Sequence, residues 1–201
     1  MVAKPLLLYG TPVWRLSASE RLLAMLPGIA EKIRQDIETG VFNENVSRSN
    51  FNGYQSPWIP LKDNPYFGED ERSILIQMIH SAVGLSKNFK ITSAINCSPA
   101  GSYNTAHVHP STEIAGAFYI AVPELSGKLV FRDPRPQCEV SGLYRKFGSA
   151  IQSLAPRVPV QPKTGELLLF PGWLMHQVEP GQNDHEFRIS MAININGLAL
   201  A

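Results

Sequence analysis

From Phe187 to Asn196 the chain alternates without a slip: Ile189, Met191, Ile193 and Ile195 on one side, Arg188, Ser190, Ala192, Asn194 and Asn196 on the other. A period of two marks a β-strand, whose successive side chains point to opposite faces. Here the two faces differ in chemistry. The branched aliphatic face needs a packed layer over it, most simply helices. The small, polar face opens on an arginine and suits the wall of a cavity. A sandwich or barrel with helices against one sheet accommodates such a strand.

The rest of the chain supplies both layers. Residues 5–16 read as an extended lead-in containing turns. Ser17 or Ser19 can cap a helix that carries Leu22, Leu23, Leu26, Ile29, Ala30, Ile33 and Ile37 at spacings of three and four. It runs to about Thr39, bent at Pro27 and ended by Gly40. A second helix is expected over 69–83, with Ile74, Leu75, Met78, Ile79 and Val83 as its apolar stripe and His80 as a packing residue. Between them, 43–67 reads as a polar loop in which Tyr54 and Trp58 either pin the loop to the barrel or serve a site. After Gly84, short β-type runs follow at 90–97, 105–109, 113–122, 128–132, 165–170, 177–179 and 187–196. The proline-rich stretch 134–162, with Tyr144-Arg145-Lys146-Phe147, is read as an insertion between strands, either a lid or a structural wrap. The expectation is one domain over 1–201: a helical N-terminal support (1–88) and a β core (89–201).

Composition excludes several classes. With 201 residues and a net charge of +1, without any basic block, nothing points to electrostatic capture of nucleic acid. The apolar run Leu6-Leu7-Leu8-Tyr9 is too short for a signal-peptide core or a membrane span. Cys97 and Cys138 sit in unrelated contexts and read as free thiols in a reducing cytoplasm.

The chemistry is carried by histidines. On an extended strand His107 and His109 share a face, and imidazole is the commonest transition-metal ligand a protein offers. A pair of partly solvated strand histidines is the plainer reading. A third histidine, His176, leaves the leucine-rich run Gly165-Glu-Leu-Leu-Leu-Phe-Pro-Gly172 and is followed by Arg188-Ile-Ser190. Several strands converging on a cavity, three histidines and an inward arginine fit a double-stranded β-helix (jelly-roll) core with the two N-terminal helices packed on one sheet.

These residues resemble the 2-oxoglutarate/iron(II)-dependent oxygenases of the prolyl-hydroxylase-like superfamily, in an uncharacterised bacterial and phage branch. The stretches that carry the resemblance are Leu8-Tyr-Gly-Thr-Pro-Val-Trp14, Asn52-Gly-Tyr-Gln-Ser56, Gly101-Ser-Tyr-Asn-Thr-Ala-His-Val-His-Pro110, Gly116-Ala-Phe-Tyr119, Phe131-Arg-Asp-Pro-Arg135, and Gly165 through His176 to Arg188-Ile-Ser190. The resemblance implies that His107 and His176 hold iron(II), that His109 stands at the third ligand position, and that Arg188 with Ser190 binds the distal carboxylate of 2-oxoglutarate. Tyr119 is either a second donor to that carboxylate or a core tyrosine. The implied reaction hydroxylates a C–H bond of a small molecule, an amino acid or a peptidyl side chain. The oligomeric state stays open, a homodimer included.

The third ligand is where this chain departs from the pattern. Most of the superfamily has His-x-Asp/Glu, whereas His109 occupies the carboxylate position here. Two other readings use the same residues. In a cupin-like metalloenzyme, isomerase or dioxygenase, His107, His109, Glu113 and His176 would hold the metal. In a non-catalytic module the site would only bind a metal or small molecule. The carboxylate-free shell is expected to exclude Glu113, because Pro110-Ser-Thr112 turns the chain before it.

Overall fold

A computed structural model describes residues 10–40, 49–142, 146, 155–183 and 186–199. The elements are β1 (Trp14–Ser17), α1 (Glu20–Glu38), β2 (Asn50–Phe51), β3 (Tyr54–Gln55), β4 (Ile59–Pro60), α2 (Glu69–Val83), β5 (Leu85–Ser98), β6 (Tyr103–His107), β7 (Ile114–Ala121), β8 (Leu129–Arg132), β9 (Arg157–Val160), β10 (Glu166–Pro171), β11 (His176–Val178) and β12 (Arg188–Leu198). The larger sheet runs β1-β10-β7-β12-β5-β3, with β4 also on β5. The smaller runs β2-β6-β11-β8-β9. From β5 onward the chain passes back and forth between two antiparallel sheets, the double-stranded β-helix, with both helices among the elements outside them.

The expected chemistry of β12 is realised on each face. Ile189, Met191, Ile193 and Ile195 are all 0% exposed and join a core with Leu22, Leu26, Ile33, Leu75 and Ile79 of the helices. Each contributes about 1.5–3 kcal/mol of burial. In β10, Leu167 and Leu169 meet the same core, while Leu168 and Phe170 turn to a smaller one between the sheets with Ala115, Tyr119 and Phe131. A strand covered on both faces reads as a continuous apolar run, and Glu166–Pro171 is buried throughout.

Helix α1 starts where its capping residues place it: Ser19 Oγ accepts the Leu22 N–H at 3.4 Å. It ends at Gly40, whose φ of 76° suits glycine and whose N–H reaches the Ile37 carbonyl at 3.1 Å. Pro27 lies inside the helix and lacks the N–H that would bond the Leu23 carbonyl. No helix among the described residues is long and apolar enough to cross a membrane.

Several expectations are corrected. The 43–67 loop contains β2, β3 and β4, which extend the two sheets, and residues 43–48 lie outside the described residues. β5 begins at Leu85, ahead of the boundary expected at 88. His80 does not pack in the core; it is exposed, and its Nδ1 accepts the Leu85 N–H at 3.0 Å where α2 passes into β5. Within 134–162, residues 157–160 form β9, the edge strand of the smaller sheet, where Pro159 interrupts no ladder on its outer side. Tyr144, Arg145 and Phe147 of the basic-aromatic cluster lie outside the described residues. Cys97 and Cys138 are both buried and free.

Candidate metal centre

Three histidines meet over the larger sheet. His107 ends β6 and His176 opens β11, and the two are direct register partners across the smaller sheet. Directly opposed side chains in an antiparallel pair stand about 5 Å apart, so this ladder alone makes two imidazoles converge. Their ring centroids are 4.4 Å apart.

His109 arrives differently from the sequence expectation. Strand β6 stops at His107, so strand parity does not orient His109. It sits in a turn that closes through the Thr112 N–H on the His109 carbonyl (3.3 Å), with Ser111 at φ 61°. The His109 N–H donates to the Gly172 carbonyl at 2.8 Å, and the Gly172 N–H to the Glu113 carbonyl at 3.1 Å. A Cβ at residue 172 would lie 2.1 Å from the Thr112 carbonyl oxygen, so only glycine lets the His109 turn seat there. The result is a compact trio: one nitrogen from each of His107, His109 and His176 lies within 4.8 Å of the others.

Each ring is also fixed from behind. Nδ1 of His107 bonds the Thr105 carbonyl (2.7 Å), Nδ1 of His176 the Leu174 carbonyl (2.9 Å), and Nδ1 of His109 the Asn194 Oδ1 (2.5 Å). Neutral rings donate Nδ1–H to these oxygens, which leaves every Nε2 lone pair for a metal. Burial holds all three below the ordinary imidazole range, His176 down to about 3, with neighbouring His107 adding to the effect. A neutral, carboxylate-free set of three donors suits one divalent transition metal.

The trio lines a cavity of about 470 Å³ whose floor is the polar face of β12 and its neighbours. Register partners form a row across four strands: Gln55 of β3, Asn96 of β5, Ser190 of β12 and Tyr119 of β7. All four line the cavity. The next row inward is alanine, Ala94, Ala192 and Ala117, which leaves room above it. Arg188, only 3% exposed, donates from Nη1 to the Gly127 carbonyl (3.1 Å) and from Nη2 to Ser98 Oγ (3.2 Å). Its Nε is buried without a partner. A buried guanidinium with an unmet donor costs free energy unless an anion reaches it. The burial that lowers the pKa of Arg188 raises that of Tyr119 to about 12, so the phenol keeps its proton as a donor.

The sequence-derived residues therefore gather at one site: His107, His109, His176, Arg188, Ser190 and Tyr119. Glu113 does not join them. Its Oε2 accepts the backbone N–H groups of Gly197 (3.0 Å) and Leu198 (2.9 Å). Asn194, Gln55, Asn96 and the site role of Trp58 are additions. Trp58 meets the His109 ring edge-to-face at 6.1 Å. Asn194 carried a signal, its cavity-side parity on β12; the pairing of Gln55 with Asn96 did not.

Residues 93–194, half of the chain and the part holding all six residues, match the family described as "Putative 2OG-Fe(II) oxygenase". The chain belongs to this family. It is a 2-oxoglutarate- and iron(II)-dependent oxygenase. Similar solved structures include a Pseudomonas putida prolyl-4-hydroxylase (13% identity, 94% of each chain covered, TM-score 0.64). A Trichoplax adhaerens prolyl hydroxylase in complex with a hypoxia inducible factor peptide fragment is 14% identical over 91% of this chain and 82% of that one (TM-score 0.62). HygX of Streptomyces hygroscopicus, with nickel and 2-oxoglutarate bound, is 14% identical over 93% and 83% (TM-score 0.56). At these identities the likeness is one of fold. Comparison by sequence with curated proteins gives no match.

Proposed function

We propose that His107, His109 and His176 hold the iron(II), and that Arg188, Ser190 and Tyr119 hold the distal carboxylate of 2-oxoglutarate. The observation that carries this reading is the unpartnered Nε of Arg188 on the floor of the cavity the trio lines. A carboxylate oxygen there would accept from Nε, and the Ser190 and Tyr119 hydroxyls lie in the adjoining row as further donors. Held there, iron(II) and 2-oxoglutarate would supply, with dioxygen as oxidant, an oxidative decarboxylation that releases carbon dioxide and puts one oxygen atom into succinate and the other into a substrate C–H bond. The chain's part is to bind and orient. The carbonyls of Thr105 and Leu174 and the Asn194 amide keep the imidazoles in one tautomer. Apolar Leu129, Phe170 and Val178 in the lining limit water.

The whole chain acts as one jelly-roll domain, and two free, buried cysteines favour a cytoplasmic setting. Both peptidyl and small-molecule substrates fit such a scaffold: among the neighbours, one holds a peptide fragment and another hygromycin B. The test is succinate release from 2-oxoglutarate by iron-loaded protein against a library of peptides, amino acids and small metabolites. Release that depends on one substrate class and is lost in Arg188→Ala is expected. Metal binding without 2-oxoglutarate binding would leave a metal-binding module instead. The cupin reading loses its fourth ligand, since Glu113 is held by backbone amides at the end of β12.

A further inference from the structure

We infer that Gln55 and Asn96 form the recognition pair for the primary substrate, and that the group they take is an uncharged primary carboxamide. The inference rests on the oxygenase reading above and names the substrate class of that site.

The two residues are register partners on β3 and β5, and Gln55 Nε2 donates to Asn96 Oδ1 at 2.9 Å. Gln55 is 92% buried, being 8% exposed, yet lines the cavity, as does Asn96. Among the described residues Gln55 Oε1, the second Gln55 Nε2–H and both Asn96 Nδ2–H groups have no protein partner. The bond between the two amides therefore leaves a free carbonyl oxygen on Gln55 and free N–H donors on both residues. Reversing both amides exchanges which residue supplies the free oxygen, but the pair still offers both a free oxygen and free N–H donors.

That pattern discriminates by chemistry. A primary carboxamide is complementary, its carbonyl taking the N–H and its NH₂ reaching the oxygen. A carboxylate can accept from the N–H groups but leaves the free amide oxygen without a donor, and an ammonium can donate to that oxygen but leaves the N–H groups without an acceptor. Sites that hydrogen-bond a group in this way reject analogues lacking it, because a polar atom is left unpaired. The surroundings agree: no Asp, Glu or Lys lines the cavity among the described residues, and its one fixed charge is Arg188. Position agrees as well. In the transverse row, Tyr119 and Ser190 lie on the co-substrate side, while Gln55 stands on the edge strand. The segment that follows Gln55 brings Trp58 against His109, so the pair and the metal ligands border one space.

The experiment uses the full chain loaded with cobalt(II) and saturated with 2-oxoglutarate, saturation being checked by calorimetry on the same sample. The probes are butyramide, butyrate and butylammonium, read by paramagnetic relaxation of their protons, which reports proximity to the metal. Butyramide should bind about tenfold better than either charged analogue, the worth of one to two neutral hydrogen bonds. Gln55→Leu should erase that preference with 2-oxoglutarate affinity unchanged. Gln55→Glu turns the Asn96 NH₂ inward and leaves two acceptors, so the order should invert toward butylammonium. Equal relaxation of the three probes in the native protein, or the same preference in Gln55→Leu, overturns the inference and leaves the co-substrate reading standing. Failure of 2-oxoglutarate to bind the cobalt form removes both.

Discussion

The two ends of the cavity are built by different means. At the arginine end, Arg188 and Ser190 stand on β12, which is paired on both sides, to β5 and to β7. Sheet register places them collectively, with four fully buried aliphatic side chains on the reverse face of the same strand. At the imidazole end, His176 stands on a three-residue strand, His107 on the last residue of another, and His109 on a turn held by Gly172 and Asn194. Here one ladder pair of the smaller sheet places His107 and His176, and individual hydrogen bonds place His109. Substitutions at the imidazole end should therefore change metal binding without touching the sheet, and those at the arginine end should change co-substrate binding without touching the metal.

The sharpest way to break that contrast is to cross the two losses. His176→Ala should cut cobalt(II) affinity roughly 100-fold or more, since losing a ligand exceeds the 10–100-fold typical of losing an outer partner. Arg188→Ala should leave cobalt(II) affinity within about twofold and weaken 2-oxoglutarate roughly 10–100-fold, the worth of a charge-assisted pair. Calorimetry reads both quantities on one sample. If either variant lowers the two affinities in parallel, the ends are not independent and the division is wrong.

A second expectation concerns acid. Unfolded imidazoles titrate near 6.5, whereas burial holds the trio lower in the folded chain, His176 at about 3. Below pH 6.5 the unfolded chain therefore binds protons that the folded site refuses. Metal-free stability is complete above about 6.5 and falls as the pH drops, by up to about 1.4 kcal/mol per pH unit for each such histidine. Denaturant titrations of His176→Phe should show a flatter acid limb than the native protein; an unchanged slope would place the proton uptake elsewhere. For the same reason cobalt(II) affinity should hold to below pH 6, where a solvent-exposed histidine trio would already be losing it.

The same division explains what could be read in advance. The alternation of β12 assigned its faces, and with them Arg188, Ser190 and the helix-covered core, because a two-residue period is local and one face is wholly buried. His107 and His176 were legible as residue types at plausible spacings, although their pairing is a fact of sheet topology. His109 reaches the site by a route strand parity does not describe: the strand ends at His107, and Gly172, sixty-three positions later in the chain, makes the His109 turn fit. Gln55 and Asn96 meet only because a two-residue strand joins the edge of the larger sheet. Such strands carry too few residues to show a period. β9 hid behind its proline for the physical reason that edge strands tolerate one.

A smaller effect tests the individual bonds at the imidazole end. Asn194 stands on β12 yet holds His109, so it is a positioning residue that ties the His109 turn to the larger sheet. Asn194→Leu should lower cobalt(II) affinity about tenfold, with little change in stability. Asn194→Asp keeps the acceptor, adds charge behind the imidazole and should restore or exceed native affinity. The cobalt d–d spectrum should shift in Leu and return in Asp. A purely structural role for Asn194 would move the unfolding midpoint in both variants and the spectrum in neither.

The smallest expected effect separates the three-imidazole shell from one with a glutamate in it. Glu113 follows the His109 turn, and its backbone is bonded on both sides of that residue's geometry: its N–H to Asn196 Oδ1 at 3.0 Å, its carbonyl to the Gly172 N–H. Its carboxylate closes the end of β12 by accepting from Gly197 and Leu198, where Gly197 at φ 88° accompanies a register shift in the pairing with β5. Glu113→Gln retains an acceptor and should be nearly silent. Glu113→Ala should lower stability by roughly 1 kcal/mol, the net worth of exposed backbone bonds of this kind, and fray the last residues of β12 in hydrogen exchange. Cobalt(II) affinity should stay within about twofold in both variants, an insensitivity no ligand shows. A drop in affinity on Glu113→Ala larger than that on Asn194→Leu would move the carboxylate into the shell and restore the cupin arrangement.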